Sequence, residues 1–210
     1  MNASMVRMGG ILAFVLIALF LIMLVFAQSI AGSRILGIIF GLIQTAIIVF
    51  VFWSSKGLFN SRNYRTADVA IMGIIAILVL LWLFSLLGGA GIGAVANPQA
   101  LTSALGVIGI ISLIVFLAAL VFWVWFSVGA MGFANAGGGG LWKAIGILYI
   151  VGLGLMILSI VVAIIAGLAQ SQGLAGLAAI LVLVGGLVIL AAWICHGIGL
   201  ITGAGKMGTA

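Results

Sequence analysis

Six long apolar runs constrain this chain more than any other feature of its sequence, since Lys143 is the only charged residue within them. They cover Gly9–Ala27, Ile35–Trp53, Val69–Leu87, Leu105–Val128, Trp142–Ala166 and Leu174–Gly197. A helix of about 20 apolar residues crosses the roughly 30 Å of hydrocarbon in a bilayer. The runs are apolar on every face, which favours helices over barrel strands with alternating polarity. The sequence therefore predicts an all-α, polytopic integral membrane protein with six transmembrane helices.

The connectors between the runs are too short to form a domain, so residues 1–210 are interpreted as a single transmembrane domain. Short connectors force consecutive helices to lie antiparallel. This predicts three hairpins, at about 9–53, 69–128 and 142–197. The first run of each hairpin opens with a Gly-Ile step, at Gly10, Gly73 and Gly146. A spacing of about seventy residues indicates a threefold internal repeat.

The distribution of positive charge predicts the orientation. Six spans place six of the seven cations on one side, namely Arg7, Lys56, Arg62, Arg65, Lys143 and Lys206, and leave Arg34 on the other. By the positive-inside rule, the N- and C-termini are predicted to be cytoplasmic. Trp53, Trp125, Trp142 and Trp193 fall at span ends on the same side, where indole rings favour the headgroup boundary. Because the cations are scattered between spans, the predicted anionic partner is the lipid surface and not nucleic acid.

Few residues could carry chemistry. Asp68 is the only carboxylate, which excludes catalysis by paired carboxylates, and it is expected at a helix N-terminus within reach of Arg62 or Arg65. His196 is the only histidine: it could ligate a cofactor such as haem, or be a neutral imidazole at the interface bonded to a backbone carbonyl or a neighbour. Cys195 alone excludes an intrachain disulfide. With no nucleophile–base pair or nucleotide fingerprint, we predict no enzymatic activity, no cofactor and no metal site.

Polar and small residues inside the spans allow two interpretations. Gly37 and Gly41 are spaced as GxxxG, and with Gln44 and Thr45 they are assigned to helix packing and oligomer contacts. In a carrier or channel, Gln44, Thr45, Ser112 and Tyr149 would instead coordinate a substrate at mid-membrane. The charged residues of the second connector and of the start of the fifth run are assigned to headgroup contact and topology: Lys56, Arg62, Arg65, Asp68 and Lys143.

These features favour a non-enzymatic structural subunit that binds lipid, copies of itself and other hydrophobic subunits. Runs such as ILGIIFGLIQTAIIVFVFW and LAGLAAILVLVGGLVIL, joined by tiny turns and nearly free of acids, resemble the hydrophobic virion proteins of archaeal spindle-shaped viruses. That resemblance implies a lipid-containing particle, with this chain in its envelope or tail. Six spans depart from the two-helix pattern of simple coat proteins, which favours a tail-ring or vertex component. The alternatives are a small membrane carrier or channel, and an accessory subunit of a respiratory membrane complex.

Overall fold

The computed structural model describes residues 2–26, 34–86 and 107–207. These ranges form helices α1 (Ala3–Val25), α2 (Arg34–Ser61), α3 (Asp68–Leu86), α4 (Val107–Phe133), α5 (Gly140–Ala169) and α6 (Gln172–Gly205). A π-helical turn over Ala134–Gly138 joins α4 to α5, and no strand occurs in the described residues. Five helices are long and apolar enough to cross a membrane, and α3 supplies a shorter apolar helix over Asp68–Leu83. The chain is therefore a helical membrane protein.

Several predicted helix boundaries are wrong at the basic end. The second helix does not stop at Trp53 but continues to Ser61, so Lys56 lies on a helix and only residues 62–67 connect α2 to α3. Leu58 and Phe59 are buried in the core, which gives these last turns of α2 a packing surface. In the same way α4 and α6 extend past Val128 and Gly197. The predicted boundaries at Ala27, Leu87 and Leu105 lie outside the described residues.

The helices close into a ring. Each helix packs against its neighbours in chain order, α6 returns to pack against α1, and α2 also contacts α6 across the interior. Backbones approach closely where glycine lies between helices. A Cβ on Gly10 of α1 would lie 2.7 Å from the carbonyl oxygen of Gly197 on α6, and one on Gly146 of α5 would strike the carbonyl oxygen of Ser127 on α4. Small residues thus set the distance between neighbouring helices. This is usual in membranes, where the hydrophobic effect does not drive helices together.

All the basic residues except Arg34 lie toward one end of the ring. Ser54 Oγ on α2 donates a hydrogen bond to the carbonyl of Met5 in α1, at 3.4 Å. A small cavity at the same end is lined by residues of α2, of the two connectors and of the end of α6: Leu58, Arg62, Phe133, Gly137, Gly138, Trp142, Gly203 and Lys206. The start of α1, the end of α6 and the connectors around Arg62 and Gly137 therefore meet. Arg34 begins α2 at the opposite end.

The core is concentrated in the half of the bundle next to this basic end. Fully buried apolar side chains come from the first half of α1, α3 and α5 and from the last half of α2, α4 and α6, among them Val6, Phe52, Phe59, Ile71, Phe126, Ile145 and Leu200. In the other half, burial in the described residues falls mainly on small residues of α5 and α6, such as Ala166, Ala178 and Gly185. The interior of the basic half therefore holds the candidate site.

Candidate functional site

His196, which the sequence placed at the membrane interface, lies in the centre of the protein core. Its side chain is fully buried, and both ring nitrogens bind side chains of other helices. Nε2 lies 2.7 Å from Ser55 Oγ on α2, and Nδ1 lies 3.0 Å from the Tyr149 hydroxyl on α5. Ser55 and Tyr149 are themselves fully buried. We call these three residues the buried polar triad, and it joins α2, α5 and α6.

Counting hydrogens assigns the direction of each bond in the triad. The Ser55 hydroxyl donates its one hydrogen to the carbonyl of Val51, at 3.0 Å, so its oxygen accepts from Nε2–H of His196. Nδ1 then carries no hydrogen and accepts from the Tyr149 hydroxyl. A doubly protonated ring would make Tyr149 an acceptor and leave its hydroxyl hydrogen without an acceptor among the described residues. The hydrogen-bond network is therefore complete with a neutral imidazole protonated on Nε2.

Aromatic rings surround the imidazole. Trp193 and Phe126 lie nearly parallel to it, with centroids at 5.6 Å and 5.7 Å. Trp142, Phe52 and Tyr149 present their rings at steep angles, with centroids at 5.4 Å, 5.8 Å and 6.0 Å. Because these rings come from α2, α4, α5 and α6, the imidazole is where four helices meet. Such offset and edge-to-face contacts add to the burial of apolar area.

Local sequence explains how Tyr149 reaches the imidazole. Gly146 and Gly152 lie one turn before and after it on the same face of α5. A Cβ on Gly152 would lie 2.6 Å from Ile189 of α6, and one on Gly146 would overlap the backbone of α4. The two glycines therefore hold α5 close to both neighbours, and the tyrosine between them points into the interior. Trp193 precedes His196 by three residues, which stacks the two rings on one helix face.

The triad resembles the side chains of a hydrolase but lacks access for a substrate. A serine hydrogen-bonded to a histidine that is oriented by a third group is the pattern of nucleophilic catalysis. Here the Ser55 hydroxyl is directed to its own helix backbone, and no part of the residue is exposed. A tyrosine hydroxyl stands where a catalytic site would place a carboxylate. The arrangement fixes three helices relative to one another, and its polar atoms satisfy each other.

The same geometry bears on the proposed cofactor role of His196. Ligation of a haem iron requires a ring nitrogen with a free lone pair. In this structure Nδ1, the nitrogen with the lone pair, accepts from Tyr149, and the five rings fill the space around the imidazole. No group of three or more His, Cys, Asp or Glu side chains that could hold a metal occurs in the described ranges.

The residues assigned to packing within α2 lie far from the triad. Gln44 and Thr45 are half-buried, Gly37 is exposed, and a Cβ on Gly37 would meet nothing within 4 Å. A Cβ on Gly41 would lie 3.9 Å from Trp82 of α3, an ordinary contact. Gln44 precedes Ser55 by eleven positions, which is about 16 Å along a helix axis. The structure therefore does not bring Gln44 and Thr45 together with Tyr149, and the side chain of Ser112 lies outside the described residues.

The charged residues assigned to headgroups lie at the basic end. Lys56 is half-buried with its ammonium 5.3 Å from the centroid of the Trp53 ring, and Arg62, Arg65 and Lys143 are exposed. Asp68 is the first residue of α3, as expected. The expected ion pair is not formed, because no described cation contacts the carboxylate, and Asp68 Oδ1 is buried without a hydrogen-bond donor. The backbone N–H of Asp68 instead donates to the carbonyl of Arg65, at 3.0 Å.

The interfacial tryptophans divide into two pairs. Trp53 and Trp125 are 45% and 42% exposed, as an interfacial ring requires. Trp142 and Trp193 are buried against His196, so their rings contact protein and not the exterior. Both lie at the basic end of their helices, but the extension of α2 and α4 past the predicted boundaries surrounds them with protein.

Sequence reasoning missed the joining of Ser55, Tyr149 and His196. A lone histidine in an apolar span does demand a polar partner. Tyr149, a polar group in the fifth run, was the available signal. Ser55 gave no such signal, because it falls outside the predicted second span. No family model, curated protein or solved structure matches this chain, so the site is interpreted from its own geometry.

Proposed function

We propose that this chain is a non-enzymatic structural subunit of an oligomeric, membrane-embedded assembly. One observation carries the proposal: the polar groups that meet in the interior are sealed and bonded to each other, whereas large apolar side chains are exposed on every helix. These buried groups therefore stabilise the fold, and none of Ser55, Tyr149 and His196 is open to a substrate. The exterior offers apolar surface to lipid and to other subunits.

The exposed apolar surface is distributed around the whole ring. Examples, one from each helix, are Phe20 at 49%, Ile35 at 72%, Val69 at 58%, Val121 at 63%, Leu168 at 84% and Leu183 at 65%. A surface of this kind is stable only against hydrocarbon or a complementary protein face. Between helices in lipid, close packing of small residues supplies much of the attraction. Gly37 is exposed, and a Cβ on it would meet no described residue within 4 Å, so we place a contact with a second copy there.

Within this proposal all six helices cross the bilayer as three hairpins, and the hairpins derive from a threefold repeat. The end that collects Arg7, Lys56, Arg62, Arg65, Lys143 and Lys206 faces the cytoplasm, together with both termini. Support comes from the positive-inside rule and from the contacts that gather these segments at one end. The partners are the lipid membrane, further copies of the chain and other hydrophobic subunits, without nucleic acid.

The kind of assembly is proposed from the sequence. Resemblance to the virion proteins of archaeal spindle-shaped viruses favours a lipid-containing particle in which this chain is a tail-ring or vertex component. The six helices close into a bundle whose outer faces are all available for contact with neighbouring subunits. Such a bundle suits a ring-shaped oligomer, in which each subunit needs two complementary faces.

A carrier or channel is less well supported by the geometry. Its polar site would have combined Gln44 and Thr45 with Tyr149, but Tyr149 is fully buried and bonded to His196. An accessory respiratory subunit would need His196 to leave Tyr149 or Ser55 before it met a cofactor. Both alternatives thus require the triad to be broken, at the cost of unpaired polar groups in the core.

The proposal is tested by the mass of the purified particle and by one pair of variants. In native-lipid nanodiscs or mild detergent, native mass spectrometry should give a discrete homo-oligomer. Gly37→Leu should weaken the oligomer without unfolding the chain, because a Cβ there meets no atom of the described residues within 4 Å. Gly154→Leu is the matched control, since Gly154 of α5 is also exposed with nothing within 4 Å and lacks the GxxxG spacing.

Two results would contradict the proposal. A monomeric particle in both lipid and detergent would remove the oligomer, and flux of a solute through liposomes that depended on this protein would favour a carrier. If Gly154→Leu disrupted the oligomer and Gly37→Leu did not, the contact would lie on α5 and not on the GxxxG face of α2.

A further inference from the structure

A groove on the last turns of α2 combines one cation with a side chain that accepts a hydrogen bond. The groove has a volume of about 320 Å³ and is lined by Trp53, Lys56, Gly57, Asn60 and Ser61. These positions repeat at three- and four-residue intervals, so they share one helix face. Gly57 lies between Trp53 and Asn60 along that face and carries no side chain to fill the space.

The cation of the groove is held in place and is not neutralised by the protein. The ammonium of Lys56 lies 5.3 Å from the centroid of the Trp53 ring, within the range of a cation–π contact. Asp68, the only carboxylate side chain in the sequence, forms no ion pair in the described part of the chain. No described carboxylate therefore pairs with Lys56, and its ammonium is available to an external anion.

The groove also holds one accessible acceptor. The Ser61 hydroxyl donates its hydrogen to the carbonyl of Leu58, at 2.7 Å, so its oxygen is left only to accept. Ser61 is exposed, whereas Asn60 Oδ1 is buried and lies out of reach of a ligand. The groove thus fits a ligand that has both a negative charge and hydroxyl groups.

We propose that this groove binds the headgroup of an anionic phospholipid that carries hydroxyls, of the phosphatidylglycerol class. The phosphate lies against the Lys56 ammonium, and a headgroup hydroxyl donates to Ser61 Oγ. Trp53, at the interface, contacts the glycerol backbone and upper acyl chain, as indole rings do at the headgroup boundary. This inference goes beyond the structural role proposed above, because it assigns a lipid class to one site.

Phosphatidic acid and phosphatidylcholine separate the two parts of the recognition. Phosphatidic acid keeps the phosphate and has no headgroup alcohol, whereas phosphatidylcholine is zwitterionic and has no hydroxyl. Soluble glycerol 3-phosphate keeps phosphate and hydroxyls without acyl chains. With acyl chains matched, the lipids should bind the purified full chain in the order phosphatidylglycerol, phosphatidic acid, phosphatidylcholine, and glycerol phosphate should bind weakest.

The experiment counts bound lipids by native mass spectrometry during titration of the detergent-purified protein. Lys56→Gln should weaken binding of phosphatidylglycerol about fivefold, the effect of one interfacial cation. Lys143→Gln is the control, because Lys143 is an exposed lysine at the same end that does not line the groove. Ser61→Ala should reduce the preference for phosphatidylglycerol over phosphatidic acid and leave the affinity for phosphatidic acid unchanged. Its folding should be little affected, since Ser61 is an exposed residue at the end of α2 and loses one hydrogen bond to the carbonyl of Leu58.

Three results would overturn the proposal. Equal binding of the three lipids would show that the groove does not recognise a headgroup. Equal losses in Lys56→Gln and Lys143→Gln would show a diffuse basic surface without a site. Binding of glycerol phosphate as tight as that of phosphatidylglycerol would identify a soluble phosphate ester, and not a lipid, as the ligand.

Discussion

Tyr149 of α5 and His196 of α6 are hydrogen-bonded at 3.0 Å, and both side chains are fully buried. The bond fixes which turn of α5 faces which turn of α6. Ser55 extends the constraint to α2 through Nε2. In a lipid environment, where apolar side chains slide past one another at little cost, a polar contact of this kind specifies one helix register.

Removing the tyrosine hydroxyl should destabilise the fold. Tyr149→Phe keeps the ring and leaves Nδ1 of His196 as a buried acceptor without a donor. We expect a loss of about 1–2 kcal/mol in the free energy of unfolding. The measurement is equilibrium unfolding in mixed micelles. Tyr64→Phe is the control, because the Tyr64 hydroxyl makes no hydrogen bond in the described residues while its ring packs on Phe59 and Phe133. Equal effects of the two substitutions would contradict the assignment.

The serine of the triad can be tested against a matched serine. Ser55 and Ser127 are both fully buried, and each hydroxyl donates to the carbonyl four residues earlier. Only Ser55 also accepts from His196. Ser55→Ala should therefore cost about 1 kcal/mol or more beyond Ser127→Ala, since it leaves Nε2–H unpaired. Thermal unfolding of both variants in one detergent decides the matter, and a larger loss for Ser127→Ala would show that the Ser55–His196 bond does not stabilise the fold.

Glycine at the α1–α6 contact should be essential for the ring to close. In Gly10→Ala the added methyl would lie 2.7 Å from the carbonyl oxygen of Gly197, so the backbones must separate. Overpacking of this kind costs about 1–3 kcal/mol. Gly186→Ala on α6 has nothing within 4 Å and should be neutral or stabilise its helix by up to about 1 kcal/mol. Cysteine crosslinking between α1 and α6 would report separation directly, and undiminished crosslinking in Gly10→Ala would refute the prediction.

The arginines of the α2–α3 connector should control topology more than assembly. Replacing Arg62 and Arg65 with glutamine removes two of the cations gathered at the basic end, so a mixed orientation is expected while oligomers still form. Labelling of single cysteines from each side of sealed vesicles gives the orientation. The double lysine variant keeps the charge and should behave as the unmodified protein. Loss of assembly with orientation preserved would instead place these arginines in a protein interface.

The helical character of the fold was predictable because the length of each apolar run can be read directly from the sequence. Each of the six apolar runs contains much of one helix, and Asp68 does begin α3. The helix ends at Ser61, Phe133 and Gly205 were not predictable from hydropathy. Those turns carry polar residues on one face and buried residues such as Phe59 and Leu200 on another, and tertiary packing decides their state.

The candidate site was predictable only in part. His196 stood out because it is the only histidine in the sequence. A buried imidazole needs hydrogen-bond partners, since burying a polar group without them costs free energy. Its partners depend on how three helices are rotated and shifted, which α5 achieves through Gly146 and Gly152. Nothing in the spacing of Ser55, Tyr149 and His196 along the chain encodes that alignment. The burial of Trp142 and Trp193 was missed for the same reason.

The contact between α1 and α6 also orders events during synthesis. Gly10 leaves the ribosome long before Gly197, so one side of the first helix must wait in the membrane for the last helix to be inserted. Its other side, at Gly9, meets Ser54 of α2 much earlier. Closure between the first and last helices is therefore the final step of biogenesis, because this pair has the largest sequence separation of any helix pair in the ring. A nascent chain stalled before α6 leaves the glycine face of its first helix open to contact with other helices.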